Sequence, residues 1–312
     1  MYYFLVNLKG GSGKSVRRWK IIKNQLEKNN VAYELLVPEF QGDATRIARE
    51  VCEREDSDIR LVILGGDGTI NEVLNGITDF SRLKIGLIPT GSGNDFSRGL
   101  HLPRHRPRKS LKMILRAGDG KKIDIGQVES ADFEDGAVRR KFFAISSGFG
   151  LDAIVGTGIN TSKIKIVLNK LHAGKLSYAI LTVITLFKMT THRVTVSFDG
   201  EEPISFQKLI FLAAMNTKAE GGGVPMNPKA VADDGKLSVC IAAGVPKWKT
   251  FLMFPLLCAG LHGKLNGFFL RDFRTMELVS ETPSVIHTDG EFFGNLKKAT
   301  FSVLESKLTM LV

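Results

Sequence analysis

Cysteine is scarce in this chain of 312 residues: only Cys52, Cys240 and Cys258, none in a CxxC pair or at metal-ligand spacing from a histidine. That gives no basis for a disulfide framework and predicts plain core thiols. The six histidines form no cluster, and His287 reads as structural rather than as a base. No stretch reaches 18 uncharged apolar residues, so no membrane-spanning helix is predicted. The N-terminal MYYFLVNLKGG lacks a basic n-region and a cleavage site; it reads as a first strand, and the chain is expected in the cytoplasm. Internal repeats and low-complexity linkers are also missing. Acidic residues are outnumbered, 32 against 43 basic, and the net charge of +11 implies an anionic partner. The excess is concentrated: residues 101–122 carry eight Lys or Arg against one Asp, and residues 160–193 carry six against none. The first run has no Phe, Trp or Tyr and the second only Tyr178 and Phe187, too few interleaved aromatics for a stacking surface, which argues against nucleic acid and leaves a membrane surface or a polyphosphate.

What is present is a profile of 43% hydrophobic and 24% charged residues, that of a soluble globular chain long enough for two domains. The first 120 residues alternate: Tyr2 to Val6 is strand-like; Val16, Trp19, Ile22 and Leu26 recur at helical spacing; Tyr33 to Val37 is strand-like again. Asp43 is a good N-cap for a second helix with Ile47 and Val51 on its buried face. Leu61 to Leu64 and Ile85 to Ile88 are further strands, separated by a helix carrying Ile70, Val73, Leu74 and Ile77. Such alternation predicts a parallel sheet covered on both faces, with ligands beyond the carboxyl ends of its strands. From about residue 121 the pattern turns to β-rich segments: KKIDIGQVE, RRKFFAISSGFG, HRVTVSFDG, KLIFLAAMN, KLSVCIAA, RTMELVS and ATFSVLE. The predicted division is an α/β domain over 1–122 and a mostly antiparallel β domain over 123–312. Helical insertions are expected near 151–190, with the runs KIKIVLNKL and YAILTVITLFKM, and near 248–266, where WKTFLMFPLLCAGLHGKLN suits a wall of an apolar pocket.

Three loops carry chemistry. Asn7-Leu8-Lys9-Gly10-Gly11-Ser12-Gly13-Lys14-Ser15 is not a Walker A loop, because Leu8 stands where the pattern needs glycine; what remains is a glycine-rich strand-helix turn able to face an anion. Gly65-Gly66-Asp67-Gly68-Thr69 permits close backbone approach to a ligand, and Thr69 can cap the next helix. Asp67 would repel a bare phosphate, so a cation or a hydroxyl donor must come between them; Mg²⁺ carried by a nucleotide supplies the cation. The third loop, Pro89 to Arg98, adds Ser92, Asn94, Asp95 and Arg98, with Arg98 suited to phosphate and Asp95 to orienting it.

Together with Asp289-Gly290-Glu291 near the end, these loops resemble the diacylglycerol kinase catalytic family, in the soluble bacterial lipid kinase branch related to sphingosine and ceramide kinases. The resemblance implies an α/β N-terminal domain similar to NAD kinase and 6-phosphofructokinase, then a β-sandwich domain. It also implies an ATP-dependent, Mg²⁺-dependent phosphotransferase acting on a lipid hydroxyl, diacylglycerol or a related lipid. ATP phosphates would lie against Asn7, Leu8, Lys9, Gly10 and Gly11, against Gly66, Asp67, Gly68, Thr69, Ile70, Asn71 and Glu72, and against Ser92. A structural Mg²⁺ would be held by the Asp234 carboxylate and the Val231 and Lys236 carbonyls. Glu291 is the expected base for the attacking hydroxyl, with Asp289 orienting it or completing the metal site. Peripheral attachment to an anionic membrane and a homodimer follow from the same resemblance. Two departures stand out: Asn7-Leu8 replaces the usual Asn-Pro, and Pro38 occupies the position of a nucleotide-contacting threonine. The alternatives are a soluble small-molecule kinase of the NAD kinase type and a catalytically silent lipid-binding regulator; the lipid-branch motifs disfavour the first, and intact Asp67 and Glu291 the second.

Overall fold

Short apolar runs and longer amphipathic ones alternate through the first third of the chain, and the layers follow from that pattern. In the computed structural model, which describes residues 1–8, 13–158 and 182–312, the chain divides into two compact units. The first comprises Met1–Ile125, Ala232–Gly235 and Leu304–Val312; the second comprises Gly126–Val231 and Lys236–Val303.

The first unit runs β1 (Tyr2–Val6), α1 (Lys14–Lys28), β2 (Tyr33–Leu36), α2 (Asp43–Cys52), β3 (Ile59–Gly65), α3 (Asp67–Leu74), β4 (Leu83–Pro89), α4 (Asp95–Gly99) and α5 (Pro107–Arg116). Its strands pair in parallel in the order β4-β3-β1-β2, and Thr309 and Met310 add a further parallel segment beside β4. Side chains alternate across a strand, so Phe4, Val6, Val62, Leu64 and Ile88 meet Trp19, Ile22 and Leu26 of α1 and Leu111 and Ile114 of α5. Leu61 and Ile63 point the other way, and α2 and α3 also pack on β3. A strand covered on both faces is apolar throughout, which is why Leu61 to Leu64 shows no alternation.

Three local expectations are corrected. Val16 is exposed, since the buried stripe of α1 starts at Trp19. Asp43 is the first helical residue, not the N-cap; Gly42, in the left-handed region at φ 91°, takes that place. The buried Asp43 carboxylate instead accepts from Arg46 Nε at 2.8 Å and from the Glu39 N–H at 2.8 Å. The Arg46 guanidinium and then the Glu39 amide hold its carboxyl below the usual carboxylate range. Thr69 does not cap α3 either, because the helix already starts at Asp67.

The second unit contains the end of β5 (Lys121–Ser130), then β6 (Arg139–Phe143), β7 (Ser146–Gly150), α6 (Leu151–Gly158), β8 (His192–Phe198), β9 (Ile204–Leu209), β10 (Phe211–Met215) and β11 (Leu237–Ala242). The helix Lys247–Cys258, β12 (Phe268–Phe273), β13 (Thr275–Thr288) and most of β14 (Glu291–Met310) follow. Pairing is antiparallel, in the order β12-β11-β10-β7-β13. β13 pairs with β8 through Met276 to Ser280 and with β7 through Ile286 to Thr288, and its register against β14 shifts between Val279 and Ser284. That irregularity separates the stretch of β13 paired with β8 from the stretch paired with β7, and Phe149, Phe198, Phe273 and Phe301 pack in one buried cluster. β10 is buried on both faces: Leu212 and Ala214 enter this core, while Phe211 and Met215 enter a second one with Leu151, Val155, Leu186 and Leu257. β12 was not expected from the sequence, and RRKFFAISSGFG forms two strands instead of one. The run KIKIVLNKL lies outside the described residues, as do the first four residues of YAILTVITLFKM; residues 182–188 are helical. Cys52 and Cys240 are buried, but Cys258, at the end of its helix, is exposed, against the expectation of a core thiol. Among the described residues no helix is long and apolar enough to cross a membrane.

Candidate active site

The three loops of the first unit begin where β1, β3 and β4 end, at the carboxyl edge where open α/β sheets bind ligands. Hydrogen bonds tie them to one another. Asn7 Nδ2 donates to Thr69 Oγ1 at 3.1 Å, and the Thr90 N–H donates to the Gly65 carbonyl at 2.8 Å. Ser15 Oγ, buried at the start of α1, donates to Thr90 Oγ1 at 3.0 Å. Gly66 and Gly91 meet backbone to backbone: a Cβ on Gly66 would stand 3.0 Å from the Gly91 Cα, and one on Gly91 2.8 Å from the Gly66 Cα. Glycine is needed at both positions for the loops to approach this closely.

Asp67 sits half-exposed at the first turn of α3, and its carboxylate bridges to the third loop. It accepts the Asp95 N–H at 3.0 Å and the Phe96 N–H at 3.3 Å, the amides that open α4. Asp95 is buried and paired with Arg98, whose Nη2 also donates to the Gly93 carbonyl at 3.4 Å. Asn94, in the left-handed region at φ 51°, donates to the Gly91 carbonyl at 2.6 Å. Ser92 is exposed at the tip of this loop. Of the other residues expected to contact phosphate, Gly68 is half-exposed, Asn71 is buried and Ile70 is turned into the core. Glu72 accepts the Ala44 N–H at 3.2 Å and so caps α2. Leu8 packs partly on the core beneath α1; Lys9, Gly10 and Gly11 lie outside the described residues. Arg18 of α1, which carries no motif signature in the sequence, donates to the Pro89 carbonyl, and partial burial lowers its pKa.

In the second unit, Asp289 and Gly290 form the two-residue turn between β13 and β14, with Thr288 paired to Glu291 across it. Both turn residues have positive φ, 51° and 88°, the pattern that makes Asp-Gly a favoured hairpin pair. The Asp289 carboxylate accepts three backbone N–H groups: Ala144 at 2.9 Å, Ile145 at 2.8 Å and Ser146 at 3.1 Å. Glu291 is half-exposed. A separate apolar cavity opens between α6, β10 and the helix Lys247–Cys258. Phe211, Phe251, Phe254 and Leu257 line it, with Asp152 and Glu220 also among its lining residues.

Of the residues expected to hold Mg²⁺, Asp234 belongs to the first unit and Val231 and Lys236 to the second. All three are exposed. Beneath the Asp234 stretch lies buried Asp124, which sequence reading missed; it accepts the Gly235 N–H at 2.8 Å and the Ser306 N–H at 2.6 Å.

Family comparison agrees with the loop order. The diacylglycerol kinase catalytic domain matches residues 1–128, and the YegS C-terminal NAD kinase β-sandwich-like domain matches residues 145–312. The chain belongs to the diacylglycerol kinase catalytic family. A diacylglycerol kinase of Staphylococcus aureus is 30% identical over 282 residues, covering 90% of this chain and 82% of the relative. The Bacillus subtilis protein named "Putative lipid kinase YtlR" is 26% identical over 296 residues, covering 94% of each. The crystal structure of a diacylglycerol kinase from Bacillus anthracis superposes with a TM-score of 0.69 at 21% identity, over 99% of this chain and 96% of that one. Yeast NADH kinase complexed with NADH shares the fold at a TM-score of 0.57 and 8% identity, over 99% of this chain and 82% of that one. The α/β unit followed by a β-sandwich is therefore the architecture of the diacylglycerol kinase family, with kinship in fold to the NAD kinases. In this family member the glycine loops were visible in sequence, whereas Asp124 and Arg18 were not, since neither sits in a recognisable motif.

Proposed function

We propose that the protein is an ATP-dependent lipid kinase that transfers the γ-phosphoryl group of Mg-ATP to a lipid hydroxyl at a membrane surface. The observation that carries this reading is the apolar lining of the second unit's cavity, built from side chains such as Phe211, Phe251, Phe254 and Leu257 that suit an acyl chain, in a chain whose first unit has three tied glycine loops. Phosphoryl transfer asks a protein to position its reactants and neutralise charge. In the first unit the loop amides and Arg98 would receive the phosphates, while Asp95 fixes the Arg98 guanidinium. Asp67 would face the nucleotide's Mg²⁺, which shields phosphate charge. In the second unit Glu291 would take the proton of the acceptor hydroxyl as the new O–P bond forms and the bond from phosphorus to the ADP oxygen breaks.

A second Mg²⁺ suits the loop from Val231 to Lys236, where an exposed carboxylate neighbours carbonyls in a turn that Asp124 holds in shape. There it would act as a structural clip. Chelation, or Asp234→Ala, should lower the thermal midpoint by about 3 °C. Unchanged melting in both arms would remove this ion.

Membrane attachment is supported by exposed apolar side chains on the helix that walls the cavity: Trp248 is 60% and Leu252 62% exposed. Phe251 and Leu256 of the same helix are exposed too, and Lys247 and Lys249 flank Trp248. Replacing Trp248 and Leu252 with Ser should cut sedimentation with anionic vesicles at least about tenfold, given about 1.5–3 kcal/mol for each large apolar side chain buried. Equal sedimentation of variant and parent would sink this docking face. The transfer itself is tested by incubating the protein with labelled ATP, Mg²⁺ and a lipid panel in mixed micelles. Label in diacylglycerol or a related lipid is expected; label in NAD and in no lipid would overturn the reading.

A further inference from the structure

His287, two residues before the Asp-Gly turn, is almost fully buried and uses both ring nitrogens. Its Nδ1 lies 3.0 Å from the Gly290 backbone nitrogen, and its Nε2 lies 2.7 Å from Asp152 Oδ2. A backbone N–H can only donate, so Nδ1 must be the bare nitrogen. The neutral ring then carries its proton on Nε2 and donates it to the Asp152 carboxylate. Glu220 is the third member of this group, with ligand atoms of all three residues within 4.8 Å of one another. The trio is nevertheless a poor metal site, because a metal would require Nε2 to give up the proton that binds Asp152. Gly148 makes room for the arrangement, and Gly156 packs beside it. A Cβ on Gly148 of β7 would stand 1.8 Å from Asp152 Oδ2 and 2.5 Å from His287 Nε2, and one on Gly156 of α6 would touch His287 and Gly290 at 3.8 Å. The turn is thus held twice: at Asp289 by the amides of residues 144–146, and at Gly290 by His287.

We propose that His287, oriented by Asp152, is a positioning residue for phosphoryl transfer: by accepting the Gly290 N–H it fixes the turn that presents Glu291 to the acceptor hydroxyl. Asp152 is also one of the residues that line the apolar cavity assigned to the lipid. This inference rests on the proposed role of Glu291. It separates two functions that a single buried histidine would otherwise blur, filling the core and aiming a base.

Two near-isosteric substitutions divide the ring's bonds. The amide oxygen of His287→Asn stands near the Nδ1 position and keeps an acceptor for Gly290, while the amide nitrogen of His287→Gln stands near Nε2 and keeps only the donor to Asp152. With labelled ATP and diacylglycerol micelles, kcat of His287→Gln should fall about 30-fold, within the loss of about 100-fold that misplacement by one ångström brings, with little change in KM for either substrate. His287→Asn should keep most of kcat. If His287→Gln retains full kcat, or if the two variants lose activity equally, the proposal is overturned. The unaltered protein gives a check independent of variant folding: its ring nitrogen-15 spectrum should show His287 protonated at Nε2 and bare at Nδ1, and the opposite tautomer would refute the assignment. Glu291→Gln run in parallel keeps the two readings apart. Normal turnover there removes the base itself, whereas an inactive Glu291→Gln beside a fully active His287→Gln removes only the positioning role.

Discussion

Replacing Glu291 with Gln should lower phosphoryl transfer about 1,000-fold, the middle of the range for losing a general base, while ATP binding and thermal stability stay as they were. The expectation of unchanged stability comes from the position of the side chain. Glu291 is half-exposed and its backbone pairs with Thr288 in the β13–β14 ladder, which a glutamine would keep. Its neighbour behaves differently. Asp289 is bound by three backbone amides, so its loss would unseat the turn and the 144–146 segment together. Lost activity there would not identify a catalytic group, whereas lost activity at Glu291 with an unchanged melting curve would. Near-normal turnover in the Glu291→Gln variant would remove it as the base.

The second large effect is expected at Asp67. Asp67→Ala should reduce Mg-ATP-dependent transfer about 100-fold or more and destabilise the fold by about 1–3 kcal/mol, because the Asp95 and Phe96 amides lose their acceptor. Those two consequences can be separated. Asp67→Asn keeps the size of the side chain and one acceptor oxygen but removes the charge, so it should recover part of the melting temperature and little of the transfer. Recovery of both would make Asp67 a link between two loops and nothing more. Full Mg-ATP-dependent transfer in Asp67→Ala would defeat its proposed role toward the cation altogether.

The layer order of the first unit was legible because each of its strands and helices carries its own period: Leu61 to Leu64 is uniformly apolar, and Ile70, Val73 and Leu74 share a face. What stayed hidden depends on partners far along the chain. RRKFFAISSGFG reads as one strand, yet the amides of Ala144, Ile145 and Ser146 turn to a carboxylate about 144 positions away, and the strand breaks there. The cap misread at Thr69 has the same origin, since Thr69 accepts from Asn7 of another loop, whereas Asp43 was misread for a local reason: Gly42 takes the cap position and the Asp43 carboxylate turns to Arg46 and Glu39. At the candidate site, the glycine loops and the Asp-Gly-Glu turn announce themselves by residue type. Asp124, Arg18 and Asp152 do not, since a lone acid or base in sequence has no signature until folding gives it neighbours.

The first unit takes its residues from three stretches, and the last of them, Leu304–Val312, is synthesised roughly 180 residues after Ile125. At translation rates of about 5–20 residues per second, that interval is roughly 9–36 s. Throughout it, the edge of β4 that Thr309 and Met310 will cover presents unpaired backbone groups on a nascent chain. The unit that begins first is therefore completed late, and a fragment ending near residue 125 should have an open edge prone to self-association.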